Sequence, residues 1–240
     1  MSSSEAVEQS ESSSPAGNPE FINIRTLRKT YFRGNEPVEV LRGLNLAIAE
    51  GSFEALMGPS GSGKSTLLNL IAGLDSPTSG ELSIDGRNIG EMGEGERAKW
   101  RSQNVGFIFQ TFNLMPVLTA LENVALPLLL TNLSSADRKA RAQTALEVVG
   151  LKDRMDHYPR ELSGGQEQRV TIARAIVTDP RIIVADEPTG DLDRENADEI
   201  LKLMVRLNRE FNKTILMVTH DPAAAERATI IRRLDKGILV

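Results

Sequence analysis

At 240 residues, 40% hydrophobic and 25% charged, the chain suits one large globular domain, with room for an inserted subdomain. A net charge of -5 without a basic run argues against sequence-independent nucleic-acid binding, and the lack of cysteine excludes disulfides, thiol catalysis and zinc–cysteine sites. No run approaches the roughly 18–20 apolar residues that span a bilayer; the longest, 124–130, contains Pro127, and the N-terminus has no charged-then-apolar signal pattern.

In chain order, residues 1–19 are rich in Ser, Glu, Gly and Pro, and are expected to form a disordered tail. Structure is expected from Phe21. FINIRTLRKTYF, VEVLRGLNLAI and SFEALM read as an antiparallel sheet feeding the first core strand. KSTLLNLIAGL has helical spacing over 64–74 and ends at Gly73 and the SPTSG turn. ELSIDG continues the β layer, and VGFIFQ (105–110) is a short buried strand. Residues from about 117 to 165 read as a helical subdomain, with Ser134 or Ser135 as an N-cap and Gly150 as a stop. RIIVAD (181–186), a polar helix from about 194 to 211, TILMVTH (214–220) and a hairpin around Asp235, Lys236 and Gly237 complete the chain. Alternating strands and helices predict an α/β fold, its mainly parallel sheet covered on both faces, over residues 20–240.

The strongest chemical signal is Gly58-Pro59-Ser60-Gly61-Ser62-Gly63-Lys64-Ser65-Thr66, a match to G-x-x-x-x-G-K-[ST] between a strand and a helix. Its glycines let backbone amides close around phosphate oxygens, and the following helix aims its N-terminus at them. Lys64 is expected to reach the β and γ phosphates, and Ser65 to ligate Mg2+. RIIVADEP ends a buried run in Asp186, suited to hold Mg2+ through water, and Glu187, suited to polarise an attacking water. Two further strands end at Gln110 and at His220. Ligands gather outside the carboxyl ends of parallel strands, so these four strand ends are expected to share one rim.

Leu162-Ser163-Gly164-Gly165-Gln166 precedes another helix and offers a second phosphate-sized anion site. One chain thus carries two phosphate-binding helix starts but only one P-loop and one acid pair. Either there are two ligands, or each start is half of a composite site completed by a second molecule.

The set GPSGSGKST, Gln110, LSGGQ, IIVADE, GDLD with Asp191 and Asp193, and His220 resembles the motif series of ABC ATPases in order and spacing, from about Phe21 to Val240. The resemblance implies a P-loop NTPase core with an N-terminal antiparallel β layer and an inserted α-helical subdomain. It also implies a head-to-tail homodimer with two ATP molecules at the interface. Each ATP would be held by one P-loop and by Ser163, Gly164, Gly165 and Gln166 of the other copy. It implies Mg2+ at Ser65, Gln110 and Asp186, catalysis by Glu187, His220, Lys64 and Gln110, and communication between sites through Asp193. Tyr31 would stack on adenine; Phe32 is its neighbour, and a buried β-layer tyrosine is the alternative.

VEVLRGLNL, VGFIFQTFNLMPVLTALENVALPLLL and VADEPTGDLD look most like the lipoprotein-release and macrolide-export branch. That likeness implies a separate membrane permease, lipophilic or peptide-like cargo, and a peripheral place on the cytoplasmic face of the bacterial inner membrane, reached only through the permease. Phe112, Leu114, Met115 and Leu118 would meet a permease helix or pack in the core. A force-transmitting ABC ATPase that transports nothing is the alternative. DNA-repair types carry coiled-coil or zinc insertions that are absent here, and a P-loop kinase has no need of LSGGQ.

Overall fold

β1 (Ile22–Arg33) and β2 (Glu36–Ile48) pair antiparallel in a computed structural model that describes residues 18–240. The expected tail at 1–19 lies outside the described residues, except for Asn18 and Pro19. Asn18 already accepts a backbone hydrogen bond from Glu50 at 2.9 Å. In β1 the inward residues Ile22 and Ile24 alternate, then a register shift near Thr26, at φ 46, carries Leu27 inward. A bulge of this kind resets the two-residue period without breaking the strand. Gly80 meets that bulge: an added Cβ would lie 2.7 Å from the Leu27 Cα.

β3 (Phe53–Met57) starts the second sheet and runs into α1 (Lys64–Ile71). The helix is shorter than the expected 64–74, because Gly73 adopts φ 66 and turns the chain out. β4 (Ser79–Ile84) and β5 (Arg87–Asn88) follow, giving a four-stranded sheet in the order β2-β1-β4-β5. α2 (Glu94–Asn104), which the sequence reading did not include, leads into β6 (Val105–Ile108).

The stretch expected to be helical at about 117–165 contains α3 (Ala120–Ala125), a 3-10 turn at Leu126–Leu130, α4 (Ser135–Val148) and two more 3-10 turns. Ser134 caps α4 by accepting from the Asp137 amide at 3.1 Å. α5 (Gly164–Ile176), β7 (Ile182–Asp186), α6 (Arg194–Phe211), β8 (Thr214–Val218), α7 (Pro222–Ala225), β9 (Ile230–Asp235) and β10 (Ile238–Leu239) complete the order.

The six-stranded sheet runs β10-β9-β3-β8-β7-β6, parallel except for the β9–β10 hairpin. Alternate residues face opposite ways, as strand geometry requires. Leu56, Val184, Leu216 and Val218 join α1 and the four-stranded sheet in one apolar cluster. Phe53, Ala55, Ile183, Ala185, Ile215 and Met217 join α3 to α6 in the other. The sheet is thus covered on both faces, and the helical stretch packs into the same cluster as the sheet. No helix of the described residues is long and apolar enough to cross a membrane.

Candidate nucleotide site

The P-loop conformation is set by glycine. Gly58 has φ 151, and a Cβ there would lie 2.0 Å from the Leu234 carbonyl oxygen. Gly63 caps α1 at φ 105, where a Cβ would press on Leu41 Cδ2 at 2.9 Å. No side chain caps α1, and its first turn holds no acidic residue, an arrangement that suits the amide hydrogens there to an anion. An added Cβ at Gly61 would meet nothing within 4 Å, which leaves the loop's open side free for a ligand. Lys64 Nζ donates to the carbonyls of Gly58 at 2.8 Å and Pro59 at 2.9 Å, so its ammonium spans the loop.

Three other strand ends meet this loop in a cleft of about 730 Å³. Lys64, Ser65, Thr66, Gln110, Asp186, Glu187 and His220 all line it, so the expected rim is present. Burial raises the pKa of Asp186, and the nearby Glu187 charge adds to the rise; the Ser65 hydroxyl and Lys64 charge oppose it. The Ser65–Asp186 pair presents oxygen donors, with Gln110 lining the same cleft, a set suited to a hard divalent cation.

Glu187 adopts φ 49, unusual for a residue with a side chain, at a cost of about 1–2 kcal/mol. The turn is held by its amide, which donates to Val218 O at 2.9 Å. The carboxylate Oε2 lies 2.8 Å from His220 Nδ1 and accepts from the His220 amide at 3.4 Å. That hydrogen bond, then the Glu187 charge, raises the pKa of His220 above its ordinary 6.5. A strained carboxylate held against an imidazole is the arrangement of a positioned base, and strain of this kind collects at functional sites.

Gln110 Nε2 donates to Asp191 Oδ1 at 2.9 Å. Asp193 does not line the cleft of its own chain. It caps α6, accepting from the Asn196 amide at 2.9 Å and from Asn196 Nδ2 at 2.7 Å. Its pKa is lowered chiefly by the backbone bond from Asn196. Tyr31 is also outside the cleft lining. Its ring is 40% exposed, and its hydroxyl donates to Asp75 Oδ2 at 2.8 Å, with Lys29 Nζ 4.8 Å from the ring centroid. Desolvation, then Asp75, raises the Tyr31 pKa, while the Thr66 hydroxyl of the P-loop lowers it; the ring thus borders the phosphate loop.

The LSGGQ segment also stands apart from the cleft of its own chain. Ser163 caps α5 in a reciprocal box: its Oγ accepts from the Gln166 amide at 3.3 Å, and its amide donates to Gln166 Oε1 at 3.0 Å. The two glycines differ. A Cβ on Gly165 would lie 2.1 Å from Asn196 Oδ1, whereas one on Gly164 would make only ordinary contacts, with Leu192 at 3.5 Å and Phe112 at 3.6 Å.

Val40, Phe109, Thr111 and Val218 line the cleft without having been singled out in the sequence. They carry no motif and arrive there as neighbours of residues that do. Among the residues expected to face a permease or the core, Met115 is exposed at 48%, while Leu114 packs partly against the helical cluster.

Known proteins with this pattern fit the geometry. The family model described as ABC transporter matches residues 41–190. The uncharacterized ABC transporter ATP-binding protein YvrO of Bacillus subtilis (strain 168) is 50% identical over 220 residues, covering 92% of this chain and 96% of the relative. The lipoprotein-releasing system ATP-binding protein LolD of Legionella pneumophila (strain Lens) is 46% identical over 222 residues, 92% of this chain and 98% of the relative. A dimeric structure of a post-hydrolysis state of the ATP-binding cassette MJ0796, bound to ADP and Pi, superimposes with a TM-score of 0.83 at 44% identity. It covers 91% of this chain and 96% of that one. The chain belongs to the ABC transporter family of ATP-binding, ATP-hydrolysing proteins, on the branch that includes the lipoprotein-releasing ATPases.

Proposed function

We propose that this chain is the ATPase subunit of a transporter, that two copies close head to tail around Mg-ATP, and that closure drives a separate membrane permease. The observation that carries this reading is the division of the motifs. Lys64, Ser65, Gln110, Asp186, Glu187 and His220 share one cleft, while the LSGGQ helix start, built like an anion site, lies outside it. A second copy would bring Ser163, Gly164, Gly165 and Gln166 to the phosphates from the open side.

In this reading Lys64 leaves the carbonyls of Gly58 and Pro59 for the β and γ phosphates, and the α1 amides hold the same oxygens. Mg2+, when bound, offsets phosphate charge, and Ser65, Asp186 and Gln110 would hold it. Glu187 orients the attacking water and takes up its proton. His220, with Nδ1 bonded to Glu187, keeps Nε2 free to donate to the terminal phosphate. Tyr31 stacks on adenine from the border of the P-loop, and Asp193 links the two sites.

The permease contact is proposed for the groove lined by Arg101, Phe107, Phe109, Leu126, Leu130 and Arg174, with Met115 exposed nearby. The chain then lies on the cytoplasmic face of the membrane, bound through its partner, with residues 20–240 as one ATPase domain. Lipophilic or peptide-like cargo is the class that suits this branch; the LolD relative is a subunit of a lipoprotein-releasing system.

Glu187→Gln tests the catalytic assignment. Loss of a general base costs roughly a hundredfold or more in turnover. The variant is expected to bind ATP, hydrolyse it at that reduced rate or below, and accumulate an ATP-dependent dimer in sedimentation. Unchanged turnover would remove Glu187 from the reaction.

A further inference from the structure

Three polar side chains of α5 reach one neighbouring backbone segment. Gln168 Nε2 donates to Phe109 O at 3.3 Å, and Thr171 Oγ1 to Phe112 O at 3.1 Å. Arg174 donates to Asn113 O at 2.7 Å and Phe112 O at 3.0 Å. The spacing of three residues keeps all of them on one side of the helix. The loop after Gln110 is therefore fastened to the helix that begins at LSGGQ.

Of the three, Gln168 alone also reaches the segment that follows β7. Its Nε2 also donates to Pro188 O at 2.6 Å. Phe109 directly precedes Gln110, and Pro188 directly follows Glu187. The side chain is fully buried at 0% exposure, and its Oε1 has no hydrogen-bond partner among the described residues. Both neighbours of Nε2 are carbonyl oxygens, so the amide nitrogen must face them and cannot exchange places with Oε1. An unpartnered buried acceptor is destabilising, so packing alone does not account for an amide at this point in the core.

We propose that Gln168 is a positioning residue for ATP hydrolysis: its amide ties α5, the helix that begins at LSGGQ, to the backbone beside Gln110 and beside Glu187. Both amide hydrogens are used, one on each strand end. Displacement of the Gln110 loop is thereby passed to Glu187 in the same chain and to the LSGGQ turn that faces the other copy's nucleotide. This inference rests on the roles assigned to Gln110, Glu187 and LSGGQ under Proposed function.

The test uses the full chain with Gln168→Met, which keeps length and removes both donors. Gln168→Glu, which sets an oxygen against the same carbonyls, is the second probe should the first not fold. Misplacement of catalytic groups without loss of binding lowers kcat, here by at least about tenfold, with KM for ATP held within about twofold. A fluorescent ATP analogue should bind with wild-type affinity, because the P-loop is not touched.

NMR supplies a readout independent of turnover. The His220 titration should move down toward the ordinary imidazole range as Glu187 loses its placement. A folded variant whose kcat lies within about twofold of wild type overturns the proposal. So does a kcat loss that only follows weaker ATP binding, or an unmoved His220. If instead Glu187→Gln turns over normally, the underlying catalytic reading fails, whatever the Gln168 variants do.

Discussion

Glu187 holds His220 at 2.8 Å, and the first consequence is a titration. Because the carboxylate favours the imidazolium, His220 should lose its proton above the ordinary 6.5, so the charged pair persists to higher pH. Replacing Glu187 with Gln removes both the charge and the ionic hydrogen bond, and the His220 midpoint should fall. A pH series of histidine ring NMR signals measures this, with His157 as the second and separate signal. A His220 midpoint that does not move would show that the pair is not formed in solution. Asp186 shifts the same way for a different reason. Burial chiefly, with the Glu187 charge adding to it, raises it, so the carboxylate needed for a divalent cation is lost at higher pH than for a solvated aspartate, as pH falls.

Helix starts are where the proposed site would meet the phosphates, and the two glycines of α5 separate fold from function. Gly165→Ala would drive a methyl group into Asn196, whose side chain also bonds the Asp193 cap of α6. Overpacking of this kind costs about 1–3 kcal/mol, so a lower melting temperature is expected. Gly164→Ala meets no such obstacle and should melt like the wild type, yet block the ATP-dependent dimer where a facing phosphate must approach. Paired melting and sedimentation measurements check both. A Gly164→Ala variant that still dimerises would place the ligand elsewhere.

Much of this was legible in the sequence, for identifiable reasons. β7 and β8 are nearly continuous apolar runs, the first ending in Asp186 and the second followed two residues on by His220, whereas β3 is interrupted by Glu54. α2 was not legible, since Trp100 is its only buried residue and its other positions give no apolar stripe. α7 is a single short turn built on Pro222. The bonds that hold Tyr31 reach Asp75, far along the chain, so no local pattern announces them. Gln168 did leave a trace. It is a polar residue on the face of α5 that also buries Thr171 and Ile172.

At the scale of the whole molecule, two apolar clusters pack the central sheet on both faces and hold four strand ends to one rim. No residue of LSGGQ lines that rim in its own chain. In the proposed reading one copy supplies the P-loop and the acid pair, and a second copy completes the site. The relevant solved relative is dimeric and holds ADP and Pi, in keeping with such an arrangement. The most direct measurement is a structure of the Glu187→Gln variant with Mg-ATP. The account predicts a γ phosphate at Lys64 within hydrogen-bond reach, about 3 Å, of the Gly164 amide from the facing copy. Nucleotide bound at Lys64 with the LSGGQ turns of both copies far from any phosphate would contradict it.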